Sequence, residues 1–287
     1  MGEQNSSVTR VWPVFDFLFD SDPTGLSWLP DLLRMGSRAD VVMPELLDSP
    51  RALLPHLSEL SRSLSGPLKK VLGVDRAKRI GNIRMAYEVD VPPAKAFLEW
   101  LVRNPQKIQW PIARGEELVY GARTQDKRKR LIAGDLEVQA EALQELQQLA
   151  PEECVRKWWT FEGFTSVDCL LETDRLLVLV EGKRTEPVSS STHWFPDRNQ
   201  VIRNLECARQ MAGTKNYAVL VCAEKEVSIS DSDWAKSLPH LNEAEIAELK
   251  GHFLGYVSWE AIASSLCNGM TLPETVAEAV ELCKKFR

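Results

Sequence analysis

The stretch SVDCLLETDRLLVLVEGKRTEP, residues 166–187, constrains the fold more than any other part of this chain. Two apolar runs of strand length flank a polar centre, the pattern of two buried strands joined by a tight turn. With Asp174 and Arg175 as the two loop residues, Thr173 faces Leu176. Counting outward from that pair sets Asp168 opposite Glu181. Directly opposed residues share a face and side chains repeat every second residue, so Lys183 joins the same face. The turn is the weak point of this register, because Asp-Arg is not the Asn-Gly or Asp-Gly that specifies a two-residue hairpin. A three-residue loop with a bulge would separate the three charges.

Two opposed carboxylates repel each other unless a cation lies between them, which points to a divalent-metal site. Oxygen ligands favour Mg²⁺ or Mn²⁺ over zinc. The competing reading is plainer: an Asp at a strand edge and a Glu-Lys pair at a strand end, all in water.

The surrounding pattern is that of an α/β protein. From Asp135, DLEVQAEALQELQQLAP carries a capping residue, strong helix formers, apolar positions at Ala142, Leu143, Leu146 and Leu149, and a stop at Pro151. After the two apolar runs come a Ser-rich loop (PVSSSTHWFPD), a helix through RNQVIRNLECARQMAG and the strand NYAVLVCA. Helix, strands, helix, strand implies a mixed central sheet flanked by helices. Residues 1–122 read as a helical N-terminal region, with Asp90 as a cap and Phe97, Leu98, Leu101 and Val102 as an apolar stripe. Residues 123–287 read as the α/β domain, closed by the C-terminal helices EAEIAELKGHF, SWEAIASSL and PETVAEAVELCKKF.

Several functions are excluded or disfavoured. The longest apolar runs, LLVLV and AVLVCA, fall far short of the roughly 20 residues a membrane helix needs, so no membrane partner is expected. The N-terminus lacks a cationic start followed by an apolar stretch, and the six cysteines are scattered with no C-x-x-C pair. Both features fit a reduced, cytoplasmic protein. The formal net charge of −6 argues against passive coating of nucleic acid, yet basic residues gather at 76–84 and 123–130. EGKRT is not a phosphate loop, because Leu177 stands where the first Gly belongs and Arg184 where Ser or Thr belongs.

Asp168 followed by Glu181-Gly182-Lys183 resembles the signature of the PD-(D/E)xK, or restriction-endonuclease-like, nuclease superfamily. The resemblance covers roughly residues 135–225, with Val167 in place of the Pro of the name. It implies a restriction-endonuclease-like core in which Asp168 and Glu181 hold one or two Mg²⁺ (or Mn²⁺) ions and the Gly182 carbonyl is a further ligand. Lys183 would orient the attacking water or help deprotonate it. The implied activity is hydrolysis of phosphodiester bonds in nucleic acid, DNA before RNA. Many such enzymes pair to cut both strands, which leaves room for a homodimer. The alternative is a catalytically inactive nuclease-fold module that binds nucleic acid or a protein partner.

Secondary candidates surround this trio. In such families the first core helix can add an acid, here Glu141 or Glu145, and the later helix a polar residue, here Gln200. Gln200, Arg203, Asn204 and Cys207 share one helix face by spacing. Glu162 would join the Asp168 face if the strand continued through Gly163. Trp158 and Trp159 are expected in a core, although aromatic residues also stack on bases. Lys127 to Arg130 reads as a solvated charge run, with contact to a nucleic-acid backbone as the competing account. The Ser-rich loop with His193 is a candidate substrate gate.

Overall fold

A computed structural model describes residues 6–42, 79–80, 83–150, 156–173 and 175–286. Its strands are β1 (Arg79–Ile80), β2 (Arg84–Val91), β3 (Ile112–Ala113), β4 (Glu116–Glu117), β5 (Thr165–Glu172), β6 (Leu176–Lys183), β7 (Asn216–Ala223) and β8 (Phe253–Ser258). Six of them form one sheet in the order β1-β2-β5-β6-β7-β8, and β3 and β4 pair separately. The neighbouring pairs β1–β2, β2–β5 and β5–β6 are antiparallel, whereas β7 and β8 continue parallel from β6. Parallel neighbours need crossover connections, and helices supply them: α7 (Gln200–Ala212) between β6 and β7, then α8 (Asp231–Ser237) and α9 (Glu243–Lys250) between β7 and β8. The result is an α/β architecture with a central mixed sheet flanked by helices.

β6 is buried on both faces, which explains its continuous LLVLV run. Leu176, Val178 and Val180 pack against Val14, Phe15 and Leu18 of α1 (Trp12–Ser21) and against Trp259 and Ile262 of α10 (Trp259–Leu266). Leu177 and Leu179 pack against Val201, Ile202 and Leu205 of α7. Each such side chain contributes roughly 1.5–3 kcal/mol by leaving water, so the central hairpin is firmly anchored where its apolar residues lie.

A third cluster joins Phe97, Leu98, Leu101 and Val102 of α4 (Lys95–Arg103), Leu131 of α5 (Ala122–Ile132) and Val138, Ala142 and Leu146 of α6 (Leu136–Gln148) to Trp159, Phe161 and Trp194. The Asp135 carboxylate caps α6 by accepting from the amides of Glu137 and Val138. Asn199 caps α7 in the same way, accepting from Val201 and Ile202. The C-terminal helices fall where the sequence places them, ending with α11 (Val276–Cys283).

Residues 1–122, read as helical, hold the strands β1, β2, β3 and β4. RMAYEVDV forms β2 inside the expected helical span, because its alternating and β-branched residues find partners on both sides, β1 and β5. Among the described residues, the α-helices that lie within that span are α1, α2 (Leu29–Arg34), α3 (Ala39–Val42) and α4. Strands from both sides of residue 122 therefore share one sheet. Asp90 is an exposed strand residue and not a cap; α4 starts at Lys95 with no side-chain cap. FLGYVS, between two of the C-terminal helices, forms β8 along β7. Of the basic stretch at 76–84, residues 76–78 and 81–82 lie outside the described residues. Among the described residues, no helix is long and apolar enough to cross a membrane.

Candidate active site

The hairpin has the register that a two-residue loop requires. Glu172 pairs with Leu177 and Cys169 with Val180, and the Thr173 amide donates to the Leu176 carbonyl at 2.8 Å. Asp174 lies outside the described residues, so the loop is fixed here by the pairs that flank it. Backbone pairing between β5 and β6 ends at Cys169 and Val180. One residue further, the Asp168 side chain takes over: its Oδ2 accepts the Gly182 amide N–H at 2.7 Å. The two strands part where the charged residues begin.

Glu181 is 2% exposed and held from three directions. Its Oε1 accepts from Gln200 Nε2 at 2.7 Å and from Lys183 Nζ at 2.9 Å, and its Oε2 accepts from Asn204 Nδ2 at 3.1 Å. Gln200 and Asn204 are one turn apart on α7, so the helix aims two amides at one carboxylate. Asp168, Glu181, Lys183 and Gln200 therefore converge. Gly182 lies between them with no room for a side chain: an added Cβ would come 2.5 Å from Val11 Cγ2 and 3.3 Å from Trp259 Cζ2. Glycine at this position lets β6 pass beneath Val11, just before α1, and beneath Trp259 of α10.

The electrostatics match the crowding. The Asp168 carboxyl is pushed up to about 7, by burial first and by the Glu181 charge second, with the Gly182 amide and Lys183 opposing. Burial also raises the Glu181 carboxyl, while Lys183 and the Asn204 amide pull it down. Two neighbouring carboxyls with both affinities raised titrate as a pair. A third carboxylate acts on Asp168 from β2. Glu88 stands opposite Asp168, between the pairs Tyr87 with Cys169 and Val89 with Val167. Its φ of 49° is a strained value for a residue with a side chain. Sequence reading missed it because β2 itself was taken for helix.

The donor set fits a hard cation. Asp168 and Glu181 supply carboxylate oxygens, and the buried Asn204 Oδ1 has no hydrogen-bond partner among the described residues. Among those residues no three His, Cys, Asp or Glu side chains are grouped to hold a metal. Any ion here would have to be held by the carboxylate pair with backbone or amide oxygen.

The other candidates lie elsewhere. Glu141 pairs with Lys127, and Glu145 accepts from Trp159 Nε1 at 3.0 Å, so neither faces the trio. Glu162 precedes β5, and Gly163, with φ of 68°, breaks the continuity that would have put it beside Asp168. It is clamped instead by the buried guanidinium of Arg198, which also pairs with Glu206 and lies over Phe97. Cys207 is buried under the sheet, and Arg203 points to Glu162 at 3.8 Å. Five cysteines, from Cys169 to Cys283, are buried; Cys154 lies outside the described residues.

Trp159 is core, as expected, and Trp158 is half-buried. The run at 127–130 is not a uniformly solvated face. Arg130 pairs with Asp135, but Arg128 is 6% exposed, with its guanidinium over Tyr120 and Trp194. It lines a cleft of about 720 Å³ together with Trp158, Phe164, His193 and Arg203. A smaller cavity of about 200 Å³ shares Phe164 and Arg203 with that cleft and reaches Gln200. The 720 Å³ cleft thus lies beside the carboxylate pair and not on it, with Gln200 as the link.

Comparison with family models, curated proteins and solved structures finds no match to this chain.

Proposed function

We propose that this chain is a metal-dependent nuclease of the restriction-endonuclease-like type, acting on phosphodiester bonds in DNA. The reading rests on one observation above all: Asp168, Glu181 and Lys183 meet where β5 and β6 part, beneath two amides of α7. Asp168, Glu181 and the Gly182 carbonyl would hold Mg²⁺ or Mn²⁺. Such an ion supplies a hydroxide-forming site and neutralises charge on the phosphate.

The protein's own residues have separable tasks in this reading. Gln200 and Asn204 fix the Glu181 rotamer, so that its carboxylate is preorganised. Asp168, whose carboxyl is raised to about 7 in the metal-free protein, would give up its proton when the ion binds. Lys183 holds a positive charge against Glu181 and is placed to orient a water attacking phosphorus.

The test is cleavage of plasmid, linear and single-stranded DNA and of RNA, with Mg²⁺ or Mn²⁺ against EDTA. Expected is metal-dependent cleavage lost in Asp168→Asn and Lys183→Met. Cleavage that persists undiminished in both variants overturns the site assignment. No cleavage of any substrate, with nucleic acid or a partner still bound, favours the inactive-module alternative.

A further inference from the structure

Buried hydrogen-bond donors without acceptors are rare in folded proteins, since each costs the desolvation of a polar group. Here five such atoms lie along one wall. Arg128 Nη1, Arg203 Nε and Nη2, Trp158 Nε1 and the Thr165 hydroxyl are buried with no hydrogen-bond partner among the described residues. All four residues line the 720 Å³ cleft or the small cavity that continues from it. Arg128 has no carboxylate partner among the described residues: its Nε donates to the Trp158 carbonyl at 2.6 Å, and its faces are taken by aromatic rings. Burial without a counter-charge lowers its proton affinity, as expected for a cation awaiting an anion.

Exposed Arg156 and Lys157 add positive charge to the same cleft. The acids on its wall are exposed Asp90 and Glu162, which Arg198 clamps and which lies 3.8 Å from Arg203 Nε, beyond hydrogen-bond distance. Donors, guanidinium forks and half-buried aromatic residues in one cleft match a phosphate with an adjoining base. The volume is that of a pocket for one ligand-sized unit, which suits a strand end and not a duplex.

We propose that this cleft binds phosphate groups of a single nucleic-acid strand, with Arg128 and Arg203 as the phosphate contacts, and delivers the strand past Gln200 to the carboxylate pair. The phosphate chemistry stands on the donors alone; only the delivery rests on the nuclease reading.

The test uses the full chain in EDTA, with fluorescence anisotropy of a labelled single-stranded DNA oligonucleotide. Expected is weakening by about tenfold or more in Arg203→Gln, the loss of charge-assisted bonds to one phosphate. The slope of log affinity against log salt should fall by about 0.7 for that contact. Arg128→Lys, which keeps the charge but not the fork, should weaken binding while leaving the melting temperature close to wild type. Should Arg128→Lys not fold, Arg203→Gln decides alone.

Inorganic phosphate should compete, and a blunt duplex should bind less tightly than the single strand. Wild-type affinity in Arg203→Gln, equal binding of an uncharged-backbone oligonucleotide, or equal binding of the duplex overturns the proposal. Binding of inorganic phosphate or a mononucleotide without the oligonucleotide also overturns it, in favour of a small phosphate ligand. Arginine-dependent binding without cleavage in Mg²⁺ leaves the cleft standing and removes the nuclease reading. Asp168-dependent cleavage with arginine-independent binding does the reverse.

Discussion

Replacing Asp168 by Asn should make the metal-free protein more stable at alkaline pH. Asn keeps an oxygen that can accept the Gly182 amide, so the change removes charge while preserving the hydrogen bond. Folding raises the Asp168 carboxyl from 3.8 to about 7. A raised value means that the folded chain holds its proton more tightly than the unfolded one. The group therefore contributes its full stability below about pH 3.8 and loses it as pH climbs through 7.

At pH 8 wild type bears the whole penalty. A rise of about three units at about 1.4 kcal/mol each caps that penalty near 4 kcal/mol. Water and relaxing neighbours take up part of it, leaving a gain of about 1–2 kcal/mol for Asp168→Asn. For a chain of this size that is an increase of roughly 2–6 °C in melting temperature. Thermal melts in EDTA from pH 4 to 8.5 should show the variant's advantage only at the alkaline end. Added Mg²⁺ or Mn²⁺ should then stabilise wild type and not the variant. A variant that is less stable than wild type by the same margin at every pH refutes the like-charge argument.

Three further outcomes follow from the same geometry. Gly182→Ala places a methyl group 2.5 Å from Val11 Cγ2, so a loss of about 1–3 kcal/mol is expected in urea unfolding. A wild-type midpoint would mean that Val11 yields freely at this contact. Arg198→Met leaves Glu162 and Glu206 buried without their shared cation, and should lose about 3–5 kcal/mol or fail to yield folded protein. Near-normal stability in circular-dichroism melts would show that the clamp is dispensable. Lys183→Met removes a charge that pulls the Glu181 carboxyl down, so any residual metal-dependent cleavage should require higher pH than wild type. An unshifted pH–rate profile would detach Lys183 from Glu181.

The parts legible in the sequence are those decided by local periodicity. LLVLV could only be a strand covered on both faces, and α6 announces itself through Asp135 and its apolar spacing. The Asp168, Glu181 and Lys183 grouping followed from register arithmetic because side chains on paired strands alternate strictly. Gln200 was legible for a similar reason, since helical spacing ties it to Asn204. What escaped were residues whose role depends on partners distant in sequence. β2 finds its second partner in β5 about 80 residues later, and β8 is a strand because β7 offers it an edge. Glu162 looked like a site acid until Arg198 and the turn at Gly163 claimed it.

The sequence by itself determined the α/β class and the face on which the charged trio lies, because alternation and helical spacing are properties of the chain alone. Only the tertiary structure decided that Arg128, one cation in an ordinary basic run, is sealed among Tyr120, Phe161 and Trp194. Burial is set by what packs on a residue from elsewhere in the chain. A guanidinium in water and one facing a cleft without a counter-charge have the same letter and opposite energetics.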